Sequence, residues 1–172
     1  MEKFLSGRSI NIRDVCIDDA EFILSLRTDE SKNKFLNKTE NDLEKQREYI
    51  RNYKQKQNEW YFIVETKEHK KAGTVRIYDV IDDDFCWGSW LMSSDAPPTA
   101  AIESALLVYE FAFYKVGFTK AHFDVRKHNE KVIAFHKRFG AKIIAENEMD
   151  YFFSYTKADY ENIRLKYRKF LL

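Results

Sequence analysis

The sequence predicts one α/β (α+β) domain spanning residues 1–172, with a mixed sheet that is antiparallel over its front half. Three runs rich in β-branched and aromatic residues, 60–66, 72–78 and 85–92, are separated by short charged turns and predict a strand meander. From residue 100 the apolar residues recur at helical spacing, and the strand that follows completes one βαβ crossover. The length suits a single core, which the 44% apolar and 16% aromatic residues supply.

The front of the chain predicts a strand and two helices before the meander. Residues 10–15 alternate apolar and polar side chains, as a half-buried strand does. Asp18 and Asp19 open a helical pattern that runs to Leu26. Residues 39–56 are highly charged with a narrow apolar stripe, which predicts a solvated helix that touches the core along one line.

The back half of the chain alternates strands and helices. Residues 100–116 carry apolar side chains almost all round before Gly117, which predicts a long buried helix with a glycine stop. The other elements are a strand at 121–125, a helix at 129–139 with suitable caps at both ends, strands at 141–145 and 151–155, and a last helix that begins with a capping box at Thr156 and Asp159. The predicted order is β α α β β β α β α β β α.

Charge, apolar run length and cysteine spacing argue against several functional classes. Lys and Arg total 29 against 28 Asp and Glu, so no net field gathers nucleic acid or anionic lipid. No apolar stretch approaches the roughly 20 residues of a membrane span and the N-terminus has no signal-peptide core, so we expect a cytoplasmic protein. Cys16 and Cys86 lie in no CxxC or Cys/His pattern, so we expect neither a disulfide nor a metal site.

Two of the predicted helices follow strands directly, near residues 92–101 and 125–130. Their N-termini should face one crevice beyond the carboxyl ends of neighbouring strands. Free backbone N–H groups and the positive end of the helix dipole favour an anion there, most simply a phosphate. Every βα unit has such a helix end, so this pattern alone does not separate a binding site from ordinary structure.

The back half of the chain carries a family resemblance. Residues 88–92, 96–105, 109–113, 124–129 and 132–140 resemble the GNAT superfamily of N-acetyltransferases, and most of all its branch of ribosomal-protein and nucleotide-sugar acetyltransferases. The resemblance covers almost the whole chain from Ile10. It implies a mostly antiparallel central sheet with helices on both faces, whose fourth and fifth predicted strands splay apart. The pantetheine arm of acetyl-CoA lies in that gap in the family.

The resemblance also implies which residues contact acetyl-CoA. In the family the pyrophosphate rests on a glycine-containing basic loop, but the matching residues 95–103 have no glycine and no basic residue, so the donors shift to the start of the helix. Asn129 matches a contact to the arm, although a simple N-cap would look the same. The candidate cofactor-binding residues are Leu91, Met92, Ser93, Thr99, Ala100, Ala101, Ile102, Asn129, Val132 and Phe135.

The candidate catalytic residues are His136, Asp124 and His122. His136 stands where the family usually has a tyrosine near the sulfur, and a ring titrating at about pH 6.5 could protonate the departing thiolate. The alternative is a satisfied core histidine. His122 and Asp124 are two residues apart on a strand, so they share a face and could form a proton relay.

Three other residues in or beside the matching segments are expected to be structural. Glu103 should cap or pack in the buried helix. Trp87 and Trp90 should lie on opposite sides of their strand as core aromatics. Neither cysteine matches a nucleophile, so transfer is expected to be direct, without a covalent acyl-enzyme.

The resemblance therefore implies an acetyl-CoA-dependent N-acetyltransferase that acts on a small-molecule primary amine. A nucleotide-linked amino sugar of surface-polysaccharide synthesis is the preferred acceptor. The alternatives are an N-terminal protein acetyltransferase of the ribosomal-protein type and a non-catalytic acyl-CoA-binding module with the same fold. We expect no metal, no nucleic-acid or membrane partner, and a homodimer.

Overall fold

The structure is a computed structural model that describes residues 4–29 and 40–172. Its strands are β1 (Phe4–Ser6), β2 (Ile10–Asp14), β3 (Trp60–Thr66), β4 (Lys71–Ile81), β5 (Asp84–Met92), β6 (Lys120–Arg126), β7 (Lys142–Glu146) and β8 (Asp150–Thr156). Its α-helices are α1 (Ala20–Thr28), α2 (Leu43–Tyr53), α3 (Ala100–Tyr109), α4 (Glu130–Arg138) and α5 (Lys157–Tyr167). The strands form one sheet in the order β1-β2-β3-β4-β5-β6-β8-β7.

The predicted fold class is confirmed. Every neighbouring pair of strands is antiparallel except β5 and β6, which the α3 crossover joins in parallel. The two parallel strands pair only at Asp84–Cys86 against residues 120–122. Beyond that point they separate, so the expected splay of the central pair is present.

The sheet has helices on both faces. On one face, α3 is buried nearly all round in the main core, together with apolar residues of α4 and α5. On the other face, Tyr61 and Ile63 pack against Ile23 of α1 and Ile50 of α2. Asp124 on β6 is exposed. The helices α1 and α2 therefore leave part of this sheet face accessible where β5 and β6 separate.

Some boundaries differ from the prediction. The three residues of β1 are too few for an alternation pattern, so the sequence gives no sign of this strand. Helix α2 begins after Asp42, whose side chain accepts the N–H of Lys45 at 3.1 Å, and the start of the predicted helix lies outside the described residues. The long helix continues past α3 as the wider π-helical segment Glu110–Val116 and stops at Gly117, whose φ of 100° favours glycine.

None of the helices in the described ranges has both the length and the apolar character that crossing a membrane requires.

Candidate active site

A cleft with a volume of about 230 Å³ opens where β5 and β6 separate. Its lining includes Arg27, Tyr78, Trp87, Gly88, Ser89, Trp90, Leu91, Phe123, Asp124, Val125, Arg126, Asn129, Val132 and His136. Two predicted catalytic residues and three predicted cofactor-binding residues are in this set. The structure therefore brings His136, Asp124, Leu91, Asn129 and Val132 together.

A β-bulge shapes the β5 side of the cleft. Ser89 has a φ of 48°, and the register with β4 skips one residue there, so that Arg76 faces Gly88 while Thr74 faces Leu91. The bulge turns Trp90 to the side of Trp87, and their ring centroids lie 5.1 Å apart. The expectation that the two tryptophans occupy opposite sides of the strand is wrong, because strict alternation fails across a bulge.

Both indoles are anchored by the buried helix. Trp87 is 4% exposed and donates its Nε1–H to Tyr109 Oη at 3.1 Å. Trp90 donates its Nε1–H to Ser104 Oγ at 2.9 Å. These bonds hold the aromatic floor of the cleft against α3.

His136 lies in an aromatic wall of the cleft. Its ring is 4% exposed and lies 4.3 Å from the Phe123 ring, centroid to centroid. Among the residues that the structure describes, the buried Nδ1 atom has no hydrogen-bond partner. Burial lowers the pKa of His136 to about 3, so the ring is neutral near pH 7. The expectation that this ring titrates at about pH 6.5 is therefore wrong, because its surroundings are apolar.

Asn129 occupies the N-cap position of α4, but its side chain makes no capping hydrogen bond. The predicted N-cap position is therefore confirmed, but the side chain does not cap the helix. Asn129 lines the cleft, and its side-chain amide carries both a donor and an acceptor that a ligand could use. Val132 lines the cleft one turn further, while Phe135 packs on the Trp90 ring at 5.0 Å and lies behind it.

The loop before α3 is organised by partners that the sequence did not reveal. Asp95, which could repel a phosphate, is bound by Lys70 Nζ and accepts from Ser93 Oγ at 2.9 Å. Ser93 donates its backbone N–H to Ala72 O at 2.7 Å. Neither Ser93 nor its predicted companion Met92 lines the cleft.

The predicted donors at the start of α3 are not equivalent. The Ala100 N–H already bonds Pro97 O at 2.9 Å. Within the described part of the chain, the N–H groups of Ala101 and Ile102 have no backbone acceptor. Thr99 donates its hydroxyl to Glu103, and all four residues lie outside the cleft lining. The donors available to an anion here are therefore Ala101 and Ile102.

Glu103 has the structural role that its match indicates. The side chain is fully buried in α3 and accepts the Ser9 N–H at 2.7 Å. It thereby ties the start of α3 to the β1–β2 turn.

His122 does not reach the cleft. Its Nδ1 lies 2.7 Å from Asp84 Oδ1 and its Nε2 lies 2.8 Å from Asp79 Oδ2. Partial burial disfavours the charged ring, but the hydrogen bonds that the ring donates to the two carboxylates outweigh it and raise the pKa of His122. Asp124 shares the strand face with His122, yet both ring nitrogens are taken by other carboxylates, so the expected His122–Asp124 relay is not formed.

Cys86 is 3% exposed, and burial raises the pKa of its thiol to about 12. It is therefore a neutral, inaccessible thiol and not a nucleophile. Across residues 4–29 and 40–172, no group of three or more His, Cys, Asp or Glu side chains is placed to hold a metal ion.

Sequence reasoning missed Arg27, Tyr78 and Gly88 as cleft residues. A Cβ on Gly88 would lie 2.9 Å from Tyr78 Oη, so the glycine lets the phenol lie across the strand. Burial, and after it the neighbouring Cys86 and Asp124, raise the pKa of Tyr78, which keeps the phenol protonated. The glycine at residue 88 inside a strand pattern was the available signal for this close approach.

The family profile described as acetyltransferase (GNAT) domain matches residues 9–142. The structure superimposes on ligand-free FdhC, a nucleotide-linked sugar GNAT, with a TM-score of 0.92 and 38% identity over 100% of both chains. It also superimposes on a GCN5-related N-acetyltransferase from Brucella melitensis, with a TM-score of 0.80 and 14% identity over 98% of this chain and 85% of that one.

A mutant of SpeG, the spermidine N-acetyltransferase from Vibrio cholerae, gives a TM-score of 0.74 and 12% identity over 89% of this chain and 96% of that one. The two distant likenesses show the fold alone. No curated protein sequence matches the chain. The profile match, the full-length similarity to FdhC and the splayed pair of strands together establish that the chain belongs to the GNAT acetyltransferase family.

Proposed function

We propose that the protein transfers an acetyl group from acetyl-CoA to the primary amine of a nucleotide-linked amino sugar. The observation that carries the proposal is the 38% identity with FdhC, a nucleotide-linked sugar GNAT, over the full length of both chains. SpeG acts on spermidine, but at 12% identity its likeness supports no acceptor for this chain.

The cleft suits the pantetheine arm of acetyl-CoA. Where β5 and β6 separate, each strand turns an unpaired edge of N–H and C=O groups toward the gap, and an extended chain with its own amides can pair with such an edge. His136 lies in the wall of the same cleft. The N–H groups of Ala101 and Ile102 at the start of α3 suit the phosphates.

The reaction forms a C–N bond between the acceptor amine and the acetyl carbonyl carbon and breaks the C–S bond to CoA. The amine must lose a proton, and the leaving sulfur carries a negative charge until it gains one. We assign the amine proton to Asp124, which is an exposed carboxylate in the cleft lining. His122 is held by Asp84 and Asp79, so its proposed part is to fix the base of β6 beneath Asp124.

Two neutral donors line the cleft for the sulfur. The Tyr78 phenol is kept protonated by burial, and the neutral His136 ring carries one N–H. His136 thus stays the proposed partner of the leaving sulfur, acting as a hydrogen-bond donor and not as an imidazolium acid. Each donor stabilises negative charge that develops only during transfer.

A free-thiol release assay with acetyl-CoA tests the proposal. The acceptor panel holds nucleotide-linked amino sugars, spermidine and N-terminal peptides. Turnover with the amino sugars supports it, and turnover only with peptides supports the N-terminal protein acetyltransferase. Saturable CoA binding without turnover of any amine supports the non-catalytic module. The homodimer and the cytoplasmic location stay predictions, and light scattering coupled to gel filtration tests the first.

A further inference from the structure

A second cavity, with a volume of about 300 Å³, lies between α1, α2 and the sheet face that carries Asp124. Arg27 lines both this cavity and the cleft. Arg76 lines the second cavity and is the β4 partner of Gly88, which lines the cleft. The two spaces therefore adjoin through two arginines, and a ligand longer than one sugar ring can occupy both.

The acidic side chains of this cavity are already engaged by α2. Glu40 is bound by Lys45 Nζ, and Asp42 accepts the backbone N–H of Lys45. Arg76 Nη2 donates to Glu59 at 3.1 Å, but Glu59 also binds Lys56 at 2.9 Å. Among the described residues that line the cavity, three are cations (Arg27, Lys45 and Arg76) and two are carboxylates (Glu40 and Asp42), which favours an anionic ligand over a polyamine.

Tyrosine rings hold the Arg76 guanidinium in place. Its central carbon lies 4.8 Å from the ring centroid of Tyr78, 5.4 Å from that of Tyr61 and 5.5 Å from that of Tyr49. Cation–π contacts with three rings and the bond from Nη2 to Glu59 hold the side chain in place, and a phosphate would compete with Glu59, which Lys56 also binds, for the guanidinium N–H groups. Tyr49 is 38% exposed, so part of its ring is open to a stacking partner.

We propose that this cavity binds the nucleoside diphosphate part of the acceptor. Arg27 and Arg76 contact the two phosphates, because guanidinium groups bind phosphate oxygens in pairs. The base stacks against Tyr49. The sugar then enters the cleft beside Asp124, with its amine toward the thioester. This inference rests on the proposed function, since it places the nucleotide of the proposed acceptor.

Titration of nucleoside diphosphates into the protein already saturated with CoA tests the inference. CoA itself contains an adenine nucleotide, so prior saturation keeps the probe from its site. The probes are UDP, dTDP, CDP, GDP and ADP, each measured by calorimetry. We expect at least one to bind with one-to-one stoichiometry, and R76Q to weaken it by about tenfold or more, the worth of a hydrogen bond to a charged group.

The matched control is R51Q. Arg51 lies on helix α2, as do several cavity residues, but it binds Glu44 and does not line the cavity. This variant should therefore keep the wild-type nucleotide affinity. The CoA affinity of R76Q should also equal that of the wild type, which shows that the cleft is intact. Binding of no diphosphate to the CoA-saturated protein, or equal binding by R76Q, overturns the inference.

Turnover separates this inference from the proposed function. If nucleotide-linked amino sugars are acetylated with the same KM by R76Q and the wild type, the nucleotide site lies elsewhere and the proposed function stands. If spermidine or peptides are acetylated and the amino sugars are not, the proposed function fails and this inference fails with it.

Discussion

Replacing His136 with phenylalanine separates the effect of this residue on the free energy of unfolding from its effect on catalysis in the cleft. The wild-type ring is 4% exposed, and its Nδ1 has no hydrogen-bond partner in residues 4–29 and 40–172. A buried polar atom left without a partner costs about 1–3 kcal/mol. The H136F variant removes that atom, and the adjoining cleft of about 230 Å³ gives the larger ring room. We therefore expect the free energy of unfolding at neutral pH to equal or exceed that of the wild type.

The pH dependence of stability gives a sharper magnitude. The pKa of His136 is about 3 in the folded protein and about 6.5 when unfolded, so the unfolded chain binds a proton first as the pH falls. Stability present above the unfolded pKa is therefore lost on acidification. Between about pH 7.5 and pH 5 the loss from this residue is about 2 kcal/mol. Urea unfolding at both pH values should show a loss on acidification that is about 2 kcal/mol larger in the wild type than in H136F. Replacing exposed His128 with glutamine (H128Q) is the control and should keep the wild-type difference.

The same variant should lose activity. A hydrogen bond to the charge that develops on sulfur is worth about 1.5–3 kcal/mol, which corresponds to a fall in kcat of about 10- to 150-fold. H136Y should recover part of the rate because it restores a donor. An unchanged kcat in H136F would show that His136 is only a core residue, and an unchanged pH difference in stability would show that its ring is not held neutral by burial.

Three further outcomes follow from the geometry. N129A should raise the KM for acetyl-CoA about 2- to 10-fold with little loss of stability, since the Asn129 side chain makes no capping bond. The control T156A breaks the capping box of α5, so it should cost about 1 kcal/mol of stability and leave that KM unchanged. Equal stability losses in the two variants would contradict this. G88A should displace the Tyr78 phenol and lower kcat/KM. The double variant G88A/Y78F lacks the clashing oxygen, so it should recover the melting temperature but not the rate. If the stability losses of G88A and Y78F simply add in the double variant, there is no such clash. The raised pKa of His122 means that its ion pairs stabilise the fold below about pH 6.5 and lose that effect as the pH rises through the folded pKa. H122Q should therefore lower the melting temperature at about pH 6 and not at about pH 10. The same lowering at both pH values would contradict a charged ring.

Local patterns predicted the elements well because each is set by nearby residues. The strand Trp60–Thr66 is where its β-branched and aromatic run indicates. The capping box of α5 is present, with Thr156 Oγ1 accepting the Asp159 N–H at 3.0 Å. The glycine stop at Gly117 is present as well, since a left-handed φ at a helix end selects glycine.

The features that escaped prediction depend on contacts distant in sequence. Ser89 has a positive φ, which serine rarely adopts, so the sequence does not indicate the bulge there. Simple alternation along the strand therefore placed Trp90 on the wrong side. Lys70 neutralises Asp95 across a separate turn, and Arg27 reaches the cleft from α1. The neutral state of His136 follows from packing by several strands, which no spacing within α4 reveals.

The central claim, transfer of an acetyl group from acetyl-CoA to a nucleotide-linked amino sugar, is tested most directly by the mass of the product. The purified protein is incubated with acetyl-CoA and each amino sugar of the panel, and free thiol is counted in the same reaction. The account predicts a mass gain of one acetyl group on a nucleotide-linked amino sugar, with one thiol released per acetylated sugar, and a strongly reduced rate in D124N. Tight CoA binding with no acetylated sugar in any reaction would contradict it.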